Sequence, residues 1–536
     1  MGIAFLFLAG FGGCGSDTAG GATGSTQDQT PTGNATVRFT IDSSAARHAI
    51  SPYVYGANQA TWNGRQRYLR FGRIGGNRWT AYNWETNASN AGSDWYNQND
   101  DYLGGGNTPG EAVRGYVASA HAAGASVVVT VPMAGYVAAD KGPGGDVNQT
   151  PNYLNARFQV SQARKGRAFT DPPDTSDRFV YQDEFVWWLE GKFSYARQDA
   201  QRTLFYCLDN EPDLWNSTHP RIRPNGAATY NELISRTLDM ASAIKGVAPG
   251  ALVFGPVSYG WGGFVSLQNA SDANGRDFLD FYLDSLRVAD GSGRGRLVDV
   301  LDLHWYPEAQ GGGVRITEAN TSSAVATARM QAPRSLWDAS YTEQSWISVD
   351  AGVGPIRLLP RMRGKIAAHY PGTRIAITEY DYGAGNHISG GIAQADVLGI
   401  FGREDVFAAA RWGTPDGQDF VNAAFDAFTN YDGSGGKFGD TSISATTSDS
   451  ANTSVYASVD AGSDDRLVVV VINKGSSSSI AEVAINHGTT LSQGQSYQMT
   501  AVAGALVAGP SYTPTAHNTF KIELPATSVT TLVLTK

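Results

Sequence analysis

TLFYCLDN, residues 203–210, is the stretch of sequence that decides the fold. Its apolar residues end at Leu208, and the polar residues Asp209, Asn210 and Glu211 follow at once. A short apolar run that stops this abruptly is typical of a strand buried on both faces. Pro212 comes next, and Trp215 and His219 lie shortly beyond it. The stretch predicts a buried strand with a glutamate at its carboxyl end, and this glutamate needs a chemical partner elsewhere in the chain.

Seven further short apolar runs lie elsewhere in the chain, some before this stretch and some after it. With 203–210 they make eight candidate strands, at 53–58, 68–73, 126–132, 203–210, 251–257, 298–306, 374–380 and 406–412. Most neighbouring pairs leave room for a helix. Between two of them, the segment 183–193 places Phe185, Trp188 and Leu189 at helical spacing. Eight buried strands that alternate with helices predict a TIM-like (β/α)₈ barrel over residues 51–415.

A second domain is indicated by a change in composition. All 12 tryptophans lie between Trp62 and Trp412, and short β-branched runs separated by Ser and Gly occupy the rest of the chain. The runs 466–473, 520–525 and 528–536 read as antiparallel strands. The run ATVRFTID (35–42) precedes the barrel and is expected to pair with them. We therefore expect an additional β-sandwich domain formed by residues 35–50 together with 416–536.

The carboxyl ends of the predicted barrel strands carry polar residues. Strand four ends in Asn210 and Glu211, strand six in His304, Trp305 and Tyr306, and strand seven in Glu379 and Tyr380. In barrels of this type the carboxyl ends of the strands form the active-site face. Two glutamates across a cleft suit glycosidic bond hydrolysis, in which one carboxylic acid protonates the leaving oxygen and the other carboxylate attacks the sugar. Trp84, Trp215, Trp305 and Trp412 lie near strand ends and are candidates for stacking on sugar rings.

Three long segments resemble the conserved regions of glycoside hydrolase family 44. They are RIGGNRWTAYNWETNASNAGSDWYNQNDDYL (73–103), YCLDNEPDLWNSTHP (206–220) and AITEYDYGAGNHISGGIAQADVLGIFGREDVFAAARW (376–412). The resemblance covers roughly residues 40–536. It implies a retaining endo-β-1,4-glucanase, in many members active on xyloglucan, with a TIM-like barrel and a β-sandwich.

The resemblance also implies roles for individual residues. The glutamate of the DNEP run is the general acid/base in this family, which corresponds to Glu211. The glutamate of the TEY run is the nucleophile, which corresponds to Glu379. In the wider set of retaining barrel glycosidases, Arg73 and Tyr306 would orient the nucleophile. The chain departs from the family pattern at Ile74, where a tryptophan is usual.

For several of these residues, a purely structural role is the alternative to the functional one. Arg73 could be a structural ion-pair partner, Tyr306 a wall residue and His304 a core histidine with satisfied hydrogen bonds. Catalysis by two carboxylates requires no cofactor. The stretch DWYNQNDD (94–101) holds Asp94, Asp100 and Asp101, whose oxygens would suit a structural calcium ion. Its spacing matches no EF-hand, so a solvated loop is the alternative interpretation.

The N-terminal residues predict export. MGIAFLFLAGFGGC is too short to span a membrane and is typical of a signal segment over residues 1–14. Gly12-Gly13-Cys14 resembles a bacterial lipoprotein cleavage box, with Cys14 as the lipidated residue. A plain secretory signal is the alternative. Residues 15–34 read as a flexible Gly/Ser/Thr linker. We expect a secreted or lipid-anchored monomer at the cell surface.

Composition limits the partners. The formal net charge of −10 argues against binding to nucleic acid. The expected partner is a β-1,4-glucan or xyloglucan polysaccharide. Two alternatives stay open at this point: a hydrolase of xylan or mannan, and a polysaccharide-binding surface protein without catalysis. A binding protein that had lost catalysis would usually lack one carboxylate of the pair, and this chain has both.

Overall fold

The computed structural model describes residues 30–224, 226–413 and 417–536. Within these ranges, eight parallel strands close a barrel, and ten strands form a second sheet that folds into a sandwich. The predicted fold class is therefore confirmed. The signal segment 1–14 lies outside the described residues. So do residues 15–29 of the predicted linker and residues 414–416, where the barrel was expected to end.

The barrel strands follow one another around the barrel in sequence order. All eight lie within or next to the runs predicted from the sequence. They are Gly56–Asn58, Phe71–Ile74, Ser126–Val131, Leu204–Leu208, Val253–Ser258, Val300–Trp305, Arg374–Tyr380 and Ala408–Arg411. Ser126–Val131 shows why these runs are apolar throughout. Val128 points into the barrel, whereas Val127 and Val129 pack against the surrounding layer, so every residue is buried.

Helices surround the barrel. The longer ones are Glu111–Ala122, Gln182–Lys192, Tyr230–Val247, Phe278–Ala289, Ser323–Gln331, Leu358–His369, Ile388–Arg403 and Asp419–Thr429. One-turn and short helices occupy Asn77–Thr80, Tyr153–Ala156, Trp215–Thr218 and Trp261–Ser266. Gln182–Lys192 confirms the helix predicted at 183–193, with Phe185 and Leu189 buried. Within the described ranges, no helix combines the length and apolar character that a membrane span requires.

The interior of the barrel is filled by side chains below the level of the site. Phe71, Phe205 and Phe254 point inward from three strands, and Tyr53 and Phe407 close this layer. The ring centroids of Tyr53 and Phe205 are 5.2 Å apart, in an edge-to-face contact. Cys207 lies in the same layer as a buried free thiol. The barrel is therefore a packed core, and only its carboxyl-end face can carry a cleft.

The sandwich contains one strand from the N-terminal side of the barrel. Val37–Asp42 pairs in parallel with Ser479–Asn486 and antiparallel with Thr441–Thr447. Thr441–Thr447 also pairs with Thr453–Asp460, and it therefore joins the two layers. The remaining strands are His48–Ala49, Ser463–Asn473, Gln493–Thr500, Ala503–Tyr512, Thr519–Leu524 and Ser528–Thr535. The two chain ends thus build one small domain beside the barrel.

Smaller sheets shape the loops at the carboxyl-end face. Tyr136–Ala138, Phe158–Gln162 and Phe179–Tyr181 form a three-stranded sheet after the third barrel strand. Two hairpin-like pairs are Ser89–Asn90 with Asn99–Asp100, and Gln310–Gly311 with Val314–Arg315. These sheets give the loops after strands two, three and six a regular backbone.

The sandwich packs closely on the barrel. In the strand Ser463–Asn473, Val469 and Val471 face the sandwich core, whereas Val468, Val470 and Ile472 belong to the same core as the barrel helices. Ile388–Arg403 receives the contact of this strand, and Asp419–Thr429 packs against the strands Gln493–Thr500, Ala503–Tyr512 and Ser528–Thr535. The strand is apolar on both faces because both faces are buried, which explains the uninterrupted valine run.

A buried ion pair lies in this interface. Lys474 Nζ is 2.7 Å from Asp396 Oδ2, and both side chains are 1% exposed. The hydroxyl of Tyr456 donates to Asp396 Oδ1 at 2.6 Å. Asp396 belongs to the barrel helix, whereas Tyr456 and Lys474 belong to the sandwich. The charge of Asp396 is therefore compensated only while the two domains are docked.

Removal of the lysine should destabilise the whole protein. In Lys474→Met, Asp396 stays buried without its counter-charge, and we expect the free energy of unfolding to fall by about 3–5 kcal/mol. Thermal or denaturant unfolding measures this. Lys437→Met, at an exposed lysine, is the control and should change little. The double variant Asp396→Asn/Lys474→Met should lose less than Lys474→Met. An equal loss in the double variant would contradict the role of the charge.

Candidate active site

Glu211 and Glu379 face each other at the carboxyl-end side of the barrel. Glu379 lies within the seventh strand, and Glu211 lies three positions beyond the end of the fourth. Carboxylate oxygens of the two residues lie within 4.8 Å of one another. The side chain of Glu379 is 5% exposed, and that of Glu211 is 14% exposed. The structure therefore brings together the two glutamates that the sequence singled out.

Glu211 follows a turn with an unusual backbone. Asp209 and Glu211 have φ angles of 67° and 43°, in the left-handed region that residues other than glycine rarely adopt. The N–H of Glu211 donates to the carbonyl of Val257, at 3.0 Å. The buried carboxylate of Asp209 accepts hydrogen bonds from the main chain of Met133, Ala134 and Asn210 and from the side chains of Thr80 and Trp215. These contacts hold the strained turn that presents Glu211.

His304 contacts the carboxyl group of Glu211. His304 Nδ1 lies 2.8 Å from Glu211 Oε1. Burial lowers the pKa of His304 to about 3, so its imidazole is neutral. Burial also raises the pKa of Glu211 to about 7. The charge of Arg73 opposes this rise and that of Asp94 adds to it. Glu211 can therefore hold a proton in mildly acidic solution.

Glu379 has a different environment. Arg73 Nη1 is 2.5 Å from Glu379 Oε1, and the hydroxyl of Tyr306 donates to Oε2 at 2.8 Å. Arg73 is fully buried and also donates to Asn210 Oδ1, at 2.8 Å, and to Asn58 Oδ1, at 3.2 Å. Gly75 leaves space for the guanidinium, because a Cβ there would lie 2.1 Å from Arg73 Nη1. Glu379 is thus fixed by a cation and a neutral donor.

The two environments suit two different chemical tasks. A carboxyl group that keeps its proton can act as a general acid, and a carboxylate held by a cation can act as a nucleophile. In retaining glycosidases the two carboxyl groups are about 5–5.5 Å apart, and in inverting enzymes about 6.5–9.5 Å. Oxygens within 4.8 Å correspond to the shorter distance. The site is therefore arranged for attack by one glutamate and proton transfer by the other.

The structure corrects three of the four tryptophan assignments. Trp84 lies in the core, where it stacks on Phe185 and its indole N–H donates to a main-chain carbonyl. Trp305 is also buried, because strand alternation turns it away from the barrel interior that its neighbour His304 faces. Trp215 is fully buried, and its indole N–H donates to the carbonyl of Asn210, at 3.1 Å. None of these three rings offers a free face to a sugar.

Trp412 lies at the site. Its ring packs over Gly76, where a Cβ would be 2.7 Å from the indole, and its main-chain N–H donates to the carbonyl of Tyr380. Gly76 has a φ angle of 97°, so a side chain at this position would be both strained and obstructed. The ring is half-buried. Trp412 therefore keeps accessible surface next to the turn that follows Arg73.

Sequence reasoning missed several residues of the site. Asn58 ends the first barrel strand and accepts from Arg73, so the strand-end rule would have found it. Asp209 lies at the end of strand four and anchors the Glu211 turn. Asp302 points inward in strand six, where burial raises its pKa to about 7, and it accepts from Thr378 at 2.7 Å. An aspartate in the middle of the apolar run 298–306 was the signal for Asp302.

The predicted calcium site remains a prediction. Asp94 accepts from Asn77 at 2.9 Å, and Asp100 forms an ion pair with Arg78 at 2.6 Å. Asp101 is exposed. Within the described ranges, one group of three side chains could hold a metal ion by distance, with its ligand atoms within 4.8 Å of one another. It consists of Glu211, His304 and Glu379. In this set, the carboxylate of Glu379 already has Arg73 as its cation.

This fold and site define a class of enzyme. A closed parallel barrel with facing glutamates at strands four and seven is the arrangement of a barrel glycoside hydrolase. A sequence profile of glycoside hydrolase family 44 matches residues 88–309. Endoglucanase A of Paenibacillus lautus is 40% identical over 518 residues, which are 93% of this chain and 72% of that protein. The chain therefore belongs to glycoside hydrolase family 44.

Two further relatives agree with this membership. Beta-mannanase/endoglucanase A of Caldicellulosiruptor saccharolyticus is 43% identical over 480 residues, which are 85% of this chain. This chain spans only 35% of the length of that protein. A family 44 xyloglucanase of Paenibacillus polymyxa, solved with xyloglucan, is 40% identical, with a TM-score of 0.87. The similarity covers 93% of this chain and 99% of that one.

The raised pKa of Glu211 has a consequence for stability. Its carboxyl group ionises near pH 4.5 when the chain is unfolded but near pH 7 in the folded protein. The folded state therefore binds more protons, and stability is lost as the pH rises through this window. Glu211→Gln is always neutral. At pH 8 we expect its free energy of unfolding to exceed that of the wild type by about 2–3 kcal/mol. It should therefore unfold at a higher temperature.

The pH dependence of unfolding provides the check. The difference between Glu211→Gln and the wild type should shrink toward zero as the pH is lowered to 4. Glu523→Gln, at an exposed glutamate of the sandwich, is the matched control and should show no such gain. A variant that is equally stable or less stable than the wild type at pH 8 would contradict the raised pKa.

Proposed function

We propose that the protein is a retaining, endo-acting glycoside hydrolase that cleaves β-1,4-glucosidic bonds in cellulose-type glucans, in xyloglucan or in both. One observation carries the proposal. Two glutamates have carboxylate oxygens within 4.8 Å, and their environments differ: burial raises the pKa of Glu211, whereas Glu379 is held by the guanidinium of Arg73 and the hydroxyl of Tyr306. Glu379 is the nucleophile and Glu211 is the general acid/base.

The first step forms a covalent intermediate. Glu379 attacks the anomeric carbon from below the sugar ring, and the bond to the leaving oxygen breaks as Glu211 gives that oxygen its proton. Arg73 and Tyr306 hold the attacking carboxylate in position. The neutral imidazole of His304 contacts Glu211 without adding a second positive charge. The product of this step is a glycosyl ester of Glu379 and a free leaving chain.

The second step releases the sugar. Glu211, now ionised, takes a proton from a water molecule, and the water oxygen attacks the anomeric carbon. The bond to Glu379 breaks, and the carboxylate returns to its contacts with Arg73 and Tyr306. Two inversions restore the original β configuration. Glu211 has regained its proton, so the site is ready for the next substrate.

Two residues would bind the sugar next to the bond. The amide oxygen of Asn210 accepts from Arg73, which fixes the orientation of the side chain. Its Nδ2 faces Asn77 at 3.3 Å and is placed to donate to a sugar 2-hydroxyl. The half-buried ring of Trp412 offers a surface for the C–H face of the same sugar.

The substrate class is supported by the relatives. The similar proteins include an endoglucanase, a beta-mannanase/endoglucanase and a xyloglucanase. The mannanase name keeps a β-1,4-mannan as the second candidate substrate, and xylan remains an alternative. A polysaccharide-binding protein without catalysis is disfavoured, because the pair of carboxylates and their orienting partners are complete.

The stereochemistry and two variants test the mechanism. Wild type incubated with glucan, xyloglucan, xylan and mannan should cut internally and release β products, which NMR detects before mutarotation. Glu211→Ala should still form the ester from substrates with a good leaving group, and added azide should then give a β-glycosyl azide. Glu379→Ala cannot form the ester, and azide in the vacated space should give the α-azide.

Three results would contradict parts of this proposal. Initial release of α product would contradict the retaining assignment. Full activity in either alanine variant would remove that residue from its role. Hydrolysis of mannan or xylan, with none of glucan or xyloglucan, would replace the proposed substrate by the alternative.

We also propose that the protein is exported and acts as a monomer, lipidated at Cys14 or secreted. The apolar run that ends in Gly12-Gly13-Cys14 supports this, and Cys14 lies outside the described residues. Mass spectrometry of the mature protein from its native host should find a lipid-modified cysteine at the N-terminus. A mature N-terminus upstream of Cys14 would contradict the lipidation.

A further inference from the structure

Two exposed aromatic side chains stand near the loop that carries Glu211. Trp95 is 43% exposed and Tyr96 is 67% exposed. Their ring centroids are 5.0 Å apart in an edge-to-face contact. They lie between the short paired strands Ser89–Asn90 and Asn99–Asp100, in the connection after the second barrel strand. Adjacent exposed aromatic rings are costly in water, and the reaction described above does not use them.

The backbone around this Trp95–Tyr96 pair is held in an unusual conformation. Tyr96 and Asn97 have φ angles of 51° and 50°. Hydrogen bonds fix the turn, from the N–H of Asn97 to the carbonyl of Gly92 at 2.8 Å and from the side chain of Asn90 to the carbonyl of Asn97 at 3.0 Å. Two successive left-handed residues cost free energy, and such strain commonly marks a functional position. The two rings are therefore presented by a fixed turn.

A short chain of contacts connects the pair to the catalytic turn. Asp94, directly before Trp95, accepts from Asn77 Nδ2 at 2.9 Å. Asn77 Oδ1 accepts in turn from Asn210, the residue before Glu211. Gly92 packs against the helix Trp215–Thr218 that follows Glu211, where a Cβ would lie 2.2 Å from a main-chain oxygen. The pair thus lies on the Glu211 side of the cleft.

The chemistry of the proposed reaction assigns this side a role. Glu211 protonates the oxygen of the leaving sugar, so the chain that leaves must extend past Glu211 and away from Glu379. Indole and phenol rings bind the apolar C–H faces of sugars and tolerate water at their polar ends. We propose that Trp95 and Tyr96 form a binding surface for glucosyl units on the leaving-group side of the scissile bond. This inference rests on the proposed function.

Cleavage patterns of oligosaccharides test the proposal directly. On cellohexaose labelled at its reducing end, Trp95→Ala should shift cleavage toward the reducing end, because fewer sugars are held on the leaving-group side. The value of kcat/KM for soluble polysaccharide should fall about 10-fold. On an aryl cellotrioside, whose small leaving group does not reach the pair, kcat/KM should change less than about 2-fold.

Matched variants separate stacking from other effects. Tyr96→Phe keeps the ring and should retain the wild-type pattern, whereas Tyr96→Ala should shift it like Trp95→Ala. Trp187→Ala is the control for loss of an exposed indole, because Trp187 lies on the outer helix Gln182–Lys192 next to Phe169. It should leave both the pattern and the rate unchanged. Thermal unfolding of each variant shows whether the fold is intact.

Several results would overturn the proposal. Unchanged cleavage positions in Trp95→Ala, or a shift toward the non-reducing end, would do so. A loss restricted to insoluble cellulose would indicate attachment to the polymer surface instead. Failure of the proposed function is distinguishable, since wild type would then hydrolyse neither the oligosaccharide nor the aryl glycoside.

Discussion

The fully buried guanidinium of Arg73 is the constraint on which the site depends. A cation without access to water is costly unless charge and hydrogen bonds compensate for it. Here the compensation comes from Glu379 and from the amide oxygens of Asn58 and Asn210. These partners lie on or just after the first, fourth and seventh strands, and Arg73 itself lies on the second. One side chain thereby sets the relative positions of strands from the whole circumference of the barrel.

The same constraint separates the properties of the two glutamates. Arg73 lies 2.5 Å from Glu379, whereas Glu211 is in hydrogen-bond contact with a neutral histidine. His304 is neutral because it is buried, and burial also raises the pKa of Glu211, although the charge of Arg73 opposes that rise. The two carboxyl groups thus have different partners, the cation of Arg73 for Glu379 and the neutral imidazole of His304 for Glu211. A side chain that stays positively charged in place of His304 would lower the pKa of Glu211.

The fold was predictable from the sequence because buried parallel strands leave apolar runs, and their carboxyl ends leave polar residues. That rule located Glu211 and Glu379, and it would also have located Asn58. The tryptophans were less predictable, because an indole is equally suited to a core and to a sugar-binding surface. Trp305 lies next to His304 in the sequence, yet strand alternation sends its ring to the opposite side. His304 and Tyr306 both contact the glutamates, so alternation along the strand would have placed Trp305 on the opposite side.

The sandwich contributes to the site through the helices that it covers. Ile388–Arg403 follows the strand that carries Glu379, and it is buried from Ile388 to Gly402. Every face of this helix packs against protein, so its position depends on the layers around it. The helix Asp419–Thr429 follows the strand that leads into Trp412 and also packs on the sandwich. The strained turns at Asp209 and Glu211 each cost about 1–3 kcal/mol and persist only if their surroundings are rigid. The sandwich therefore supports the half of the barrel that holds the nucleophile and Trp412, while the acid/base turn relies on Asp209 and its five donors.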